Sequence, residues 1–183
     1  WLSTDLSLIS GFLTWIVVLS WLWRSGWKIQ RRYFIEATQK PLTRNAIVWS
    51  AGIVGAVFFV AAQMRPGMPG VMTVAMIGAL SAYVDARTHR LPNAYTVAMG
   101  IGVVLGVIVG GVISPLWQER LLGALIGALI WFVPIALLNR LPGGMGGGDV
   151  KLAPVLGALV GSVGLHAAFF ALALSFVSAG VAA

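Results

Sequence analysis

The sequence predicts an all-α fold, a polytopic membrane helix bundle of about seven transmembrane helices within a range of six to eight. Three observations predict it. The 183 residues are 59% hydrophobic and only 9% charged, with a mean hydropathy of +0.94, whereas soluble domains carry about 25% charged residues. Apolar runs close to the length of a bilayer-spanning helix recur along the whole chain. The basic residues cluster in short segments between those runs, where membrane topology explains them.

A spanning helix needs about 20 mostly apolar residues. Segments 6–23, 46–63, 94–113, 121–138 and 165–183 approach or meet that length. The first has no basic stretch before it and no clear small-residue cleavage site after it, so it reads as a spanning helix rather than a signal peptide. Segments 68–84 and 150–163 are shorter. A helix that short ends in a water-filled recess or thins the bilayer locally. The whole of 1–183 is expected to form a single membrane domain. Within it lies one basic cytoplasmic loop, 24–45, whose bases alternate with Trp27, Ile29, Tyr33, Phe34 and Ile35. That pattern suits a segment lying along an anionic membrane surface.

Lys and Arg set the orientation. The segment after the first helix holds Arg24, Lys28, Arg31, Arg32, Lys40 and Arg44 against one acid, Glu36. Taking it as cytoplasmic and alternating onward places Arg87, Arg90, Arg140 and Lys151 on the same face, and leaves only Arg65 and Arg120 outside. Asp85 and Asp149 then fall on the cytoplasmic side.

The net charge of +7 is topological, so no nucleic-acid partner is expected. The chain has no cysteine, which excludes thiolate nucleophiles and cysteine-ligated zinc. Its two histidines read as a solvated loop residue, His89, and an interfacial one, His166. No metal and no cofactor are expected. Ser175 and Ser178 have no histidine partner at a matching depth, which argues against a serine nucleophile. Several of the eight tryptophans flank segment ends, as an aromatic belt does. Glycine recurs every four residues at Gly102, Gly106 and Gly110, at Gly123 and Gly127, and at Gly157 and Gly161. This spacing predicts close backbone packing between helices.

Two acids stand out. Asp85 directly follows an apolar run and Asp149 directly precedes one. Alone, each reads equally as an interfacial charge at a helix end or as a functional group facing a cavity. Together they suit acid–base chemistry. Two neighbouring carboxyls cannot both ionise easily, so one is kept protonated while the other acts as a base. Asp149 ends the stretch Gly143-Gly144-Met145-Gly146-Gly147-Gly148-Asp149 and leads into Val150-Lys151-Leu152. The glycines are expected to take conformations closed to other residues and to leave room for a substrate backbone. A phosphate-binding loop is excluded, because the acid repels phosphate and the P-loop Gly-Lys-Ser/Thr is absent. Asp85 opens Asp85-Ala86-Arg87-Thr88-His89-Arg90-Leu91-Pro92-Asn93, in which Pro92 ends the preceding structure and Asn93 is the expected N-cap of the next helix.

These two motifs resemble those of the type IV prepilin peptidases, including the short form of tight-adherence pilus systems. Asp85 with Arg90, Pro92 and Asn93 resembles the family's first motif. Gly146, Gly148 and Asp149, followed by Lys151, resemble its Gly-x-Gly-Asp motif, and the likeness runs over residues 74–161. The resemblance implies a membrane aspartyl endopeptidase with Asp85 and Asp149 as the catalytic pair. Its substrate would be a prepilin or pseudopilin, cut after a short basic leader at the cytoplasmic face of the bacterial inner membrane, while the substrate's apolar helix stays in the lipid. Lys151 either holds Asp149 ionised or counts only as a positive-inside charge. Larger relatives carry a four-cysteine zinc domain and methylate the new N-terminus. This chain has no cysteine, so the resemblance is not extended to methyl transfer. The presenilin type fits less well, since Tyr83 lies one residue too early and the late segment reads Ala153-Pro154-Val155. Two other classes use these features differently. A proton-coupled or ion transporter would use the acids as a relay, nearer the midplane. A scaffold would need the glycines but neither acid.

Overall fold

The computed structural model describes residues 2–62, 67–142 and 146–182, with side chains from residue 5 to residue 178 of these. Gly143, Gly144 and Met145 of the predicted glycine turn lie outside the described residues, as do Arg65, Gln63 and Ala183. Every regular element among the described residues is a helix. The bilayer explains this. A strand or loop in hydrocarbon leaves amides unpaired, whereas a helix pairs them within itself.

The chain forms two compact units, Trp1–Ile113 and Ser114–Ala183. The first holds α1 (Leu2–Trp21), a π-helical turn (Leu22–Gly26), α2 (Trp27–Glu36), α3 (Arg44–Ala61), α4 (Met68–Thr88) and α5 (Asn93–Ile113). The second holds α6 (Trp117–Asn139), α7 (Gly147–Gly161) and α8 (Leu165–Ala182). Seven of these, all but α2, match the seven apolar segments read from the sequence. Among the described residues five stretches are long and apolar enough to cross a membrane: Asp5–Glu36, Arg44–Ala61, Met68–Thr88, Asn93–Ile113 and Trp117–Asn139. The protein is an integral membrane helix bundle.

Three boundaries differ from expectation. The basic segment 24–45 is not a loop for most of its length. Its first part continues α1 through the π turn into α2, making one helical rod of 32 residues from Asp5 to Glu36, or about 48 Å. The second difference is α4, which is 21 residues long rather than short and carries Asp85 inside its last turn. Third, α5 begins one residue early. The Pro92 carbonyl accepts from the Tyr95 and Thr96 amides at 3.0 and 3.3 Å, so Pro92 holds the cap position expected of Asn93.

In the first unit α4 is the most enclosed helix. Met68, Met72, Met76, Ile77 and Val84 are buried, with Met99 of α5. Unbranched methionine fills the irregular gaps between helices. Large apolar side chains on the other faces, such as Ile53, Val57, Val104 and Ile108, are exposed, which suits lipid as the solvent. The α4–α5 hairpin is tight because Gly106 meets the Gly70 amide nitrogen and the Gly67 carbonyl. An added Cβ would lie 2.7 and 2.9 Å from them.

In the second unit the expected glycine packing is present. Gly123 and Gly127 of α6 face Gly161 and Gly157 of α7, and a Cβ on any of the four would collide with backbone carbonyl oxygen across the interface. The antiparallel order follows from those pairs. Beyond the glycines, Trp131, Ile135 and Ala153 are buried together with Leu172 and Phe176 of α8 packed on them. The Trp131 indole N–H donates to the Ala168 carbonyl at 3.0 Å, which satisfies a polar group that lipid could not.

This packing predicts that Gly127→Leu or Gly157→Leu loosens the α6–α7 hairpin by at least about 1–3 kcal/mol, the usual cost of overpacking. Gly147→Ala, whose Cβ meets nothing within 4 Å, is expected to be neutral. Denaturant titration in detergent, followed by tryptophan fluorescence, checks both.

Candidate functional site

Asp85 is placed by the end of α4. The helix stops at His89, which takes a left-handed conformation, φ 51°, with its amide donating to the Asp85 carbonyl at 2.7 Å. A single residue in that conformation ends a helix and satisfies a terminal carbonyl. The Thr88 hydroxyl, buried, donates back to the Val84 carbonyl at 2.8 Å. Pro92 is fully buried and starts α5. Asp85 itself is half-buried. Its carboxylate makes no ion pair or hydrogen bond among the described residues, although Arg87 and Arg90 lie within five residues of it.

Those two arginines are engaged elsewhere. The Arg87 guanidinium lies 5.7 Å from the centre of the Tyr83 ring. Arg90 donates to Glu36 at 2.5 Å, and Arg32 donates to the other oxygen of the same carboxylate at 2.7 Å. Glu36 stands at the charged end of the rod, beyond a span's length from Asp5. Around this pair α2 grips the Asp85 turn. The Gln39 amide donates to the Arg87 carbonyl at 2.9 Å. Phe34 stacks on Tyr83 with ring centres 6.3 Å apart. The buried Tyr95 hydroxyl donates to the Gly26 carbonyl at 3.0 Å, in the π turn. Gln30, also buried, ties α2 to Leu42 through its carbonyl and its amide at 3.0 and 3.3 Å.

The sequence reading placed Arg90, Pro92 and Asn93 with Asp85, and the structure gathers them at one turn. It missed Phe34, Glu36, Gln39 and Tyr95. Glu36 left one signal, as the lone acid among six bases. Beside the turn an apolar groove of about 360 Å³ runs between α3 and α4, with Ala46, Val54, Met76, Leu80 and Tyr83 in its walls.

Asp149 is placed by the start of α7. Gly146 is the N-cap, extended at φ −65° and ψ 148°, and the Asp149 amide donates to its carbonyl at 3.1 Å. Asp149 is exposed in the first helical turn, where the helix dipole favours an anion. Lys151, two residues further on and about half a turn around the helix, is exposed. Of the two roles expected of the glycines, unusual backbone conformation is not seen at the three described ones. Gly147 and Gly148 are helical and Gly146 has a negative φ, so none uses a conformation reserved for glycine. What they supply is space. A Cβ on Gly146 would only touch the Asp149 carboxylate, at 3.6 Å, and one on Gly147 would meet nothing. One side of Asp149 is therefore open at backbone level.

Among the described residues no cluster of three or more His, Cys, Asp or Glu side chains stands ready for a metal.

Comparison with known proteins agrees with the motifs. The profile of the type IV leader peptidase family matches residues 71–183, a stretch that includes both Asp85 and Asp149. The chain is 34% identical over 128 residues to the prepilin leader peptidase/N-methyltransferase of Bacillus subtilis (strain 168), covering 66% of this chain and 48% of that protein. It thus spans about half the length of the curated relative it matches. No solved structure matches.

The grip of α2 is tested by a charge swap. Glu36→Arg alone should speed amide hydrogen exchange in residues 89–96 by a few-fold at low salt, since local opening tracks lost contacts. Adding Arg90→Glu should restore most of the protection. High salt should erase the difference, because exposed pairs are screened.

Proposed function

The chain belongs to the type IV leader peptidase family, and from that premise we propose that it is a membrane aspartyl endopeptidase that removes the basic leader of a prepilin or pseudopilin. In this reading Asp85 and Asp149 are the carboxylate pair, and cleavage takes place at the cytoplasmic face of the bacterial inner membrane. The observation that carries the proposal is the pairing of fold and motif. Each unit contains a glycine-packed hairpin with one carboxylate beside its turn, and both carboxylates lie within the stretch matched by the family.

The chemistry follows from two carboxyls sharing one proton. The ionised one takes a proton from water, and the resulting hydroxide attacks the scissile carbonyl carbon. The protonated one donates a hydrogen bond to the carbonyl oxygen as negative charge develops there. Collapse of the tetrahedral intermediate breaks the C–N bond, and a proton passes from the pair to the leaving amine. Water supplies both the OH of the new acid and the extra hydrogen of the amine, so the step needs no further reactant.

Three features support the assignment. The arginines near Asp85 are occupied by Tyr83 and Glu36, which leaves the carboxylate available. The open side of Asp149 at Gly146 and Gly147 suits an extended substrate backbone. The groove ending at Tyr83 suits apolar side chains of a substrate helix held in lipid. The ten bases assigned to the cytoplasmic side support the orientation.

Asp85→Asn and Asp149→Asn should each lower cleavage of a synthetic leader-plus-helix peptide by at least about 10²-fold, the lower end for lost acid–base catalysis. Circular dichroism should stay unchanged. The measurement is product mass after incubation with the purified chain in detergent, which also locates the cut. Normal processing by either variant removes that residue from the pair.

A further inference from the structure

The second unit has another polar site, at the opposite end of its hairpin from Asp149. A recess of about 510 Å³ lies where the start of α6 meets the turn from α7 to α8, with Leu116, Glu119, Arg120, Ser162, Gly164 and His166 among its walls. From Asp149 to Gly161 α7 rises about 18 Å, so this recess and the proposed catalytic end are well separated along one helix.

Arg120 is the reason to expect a ligand. Its Nε is fully enclosed and has no hydrogen-bond partner, and its side chain forms no ion pair among the described residues. A buried polar atom left unpaired is costly, and native proteins fill such places. The position is unfavourable for a cation on two further counts. Arg120 stands in the first turn of α6, where the helix dipole disfavours positive charge. It is also one of only two bases that the charge pattern leaves on the outer side. An anion in the recess beside the guanidinium answers the last two.

The bilayer supplies one. With 15 residues, α7 is about 22 Å long, short of a hydrocarbon core of about 30 Å. A helix that short draws the headgroup layer inward at its ends, and the recess lies at one of those ends. The Ser162 hydroxyl already donates to the Leu159 carbonyl at 2.7 Å. That leaves Arg120 and the exposed His166 as donors. Glu119, exposed at the same mouth, disfavours a strongly anionic group and is compatible with one that also carries an amine. We infer that this recess binds the headgroup of a membrane phospholipid, with its phosphodiester on Arg120 and His166. The site does not depend on peptidase activity and is tested without it.

The experiment is native mass spectrometry of the full chain in detergent, titrated with dioleoylphosphatidylethanolamine. One equivalent should be retained, and Arg120→Gln should lower its apparent affinity at least about tenfold, while Arg120→Lys keeps part of it. Gly164→Leu adds bulk where a Cβ meets open space, and should block the recess without disturbing the fold. It decides the matter if Arg120→Gln does not fold. Dioleoylglycerol, with the same tails and no phosphate, should not be retained, and inorganic phosphate should not displace the lipid. The proposal is overturned if both variants hold the phospholipid as well as the parent does, or if dioleoylglycerol binds equally. Saturation by inorganic phosphate alone would also overturn it, by making the ligand a soluble anion.

Discussion

Backbone meets backbone where α6 crosses α7, and much of the second unit depends on that contact. In lipid the hydrophobic effect gives no reason for one apolar helix to prefer another, because the tails are as apolar as leucine. Association therefore rests on close van der Waals approach. Gly123, Gly127, Gly157 and Gly161 provide it by leaving nothing between the two carbonyl ladders. In the first unit Gly106 and Gly70 do the same for α4 and α5. Helices held this closely along their lengths leave the polar chemistry to their ends, and the ends are where the acids stand.

The two acids inherit different surroundings from the two ends of a helix. Asp85 closes a helix, half-buried, on a turn held by Phe34 and Glu36 of α2 and by Gln39 just after it. Asp149 opens a helix, exposed, after an extended glycine. One carboxylate sits in a turn braced from several sides, the other in the first turn of a helix entered through glycine. An acid–base pair needs unequal settings to keep its two members in different protonation states, and these local frames are unequal from the outset.

Helix content and glycine packing were legible in the sequence because both follow from short-range pattern. Apolar length marks a helix in lipid, and a four-residue glycine period marks a packing face. The end of α4 was misread because Asp85, Arg87 and Thr88 are polar. Polarity ends an apolar run without ending a helix, and here a left-handed His89 is what stops it. The grip of α2 was illegible for a different reason. Arg90 and Glu36 are 54 residues apart, and no local periodicity relates them. The glycines before Asp149 suggest both conformational freedom and space, and of these the three described ones, Gly146, Gly147 and Gly148, keep to the second. Composition cannot tell those roles apart, because both ask for a residue without a side chain.

The shortness of α7 connects these local facts. A helix of 15 residues cannot keep both of its ends outside a hydrocarbon layer of ordinary thickness, so water and headgroups must come in to meet it. At the Gly161 end the recess lined by Arg120 is where the proposed headgroup would meet it. At the other end the same requirement falls on Asp149. The reaction proposed for this chain has to bring water to a peptide bond that arrives on an apolar helix. A full-length helix would hold its terminal carboxylate out among the headgroups, while a midplane acid would be dry and neutral. A short helix entered through glycine would set the proposed catalytic carboxylate inward of the ordinary interface and still wet.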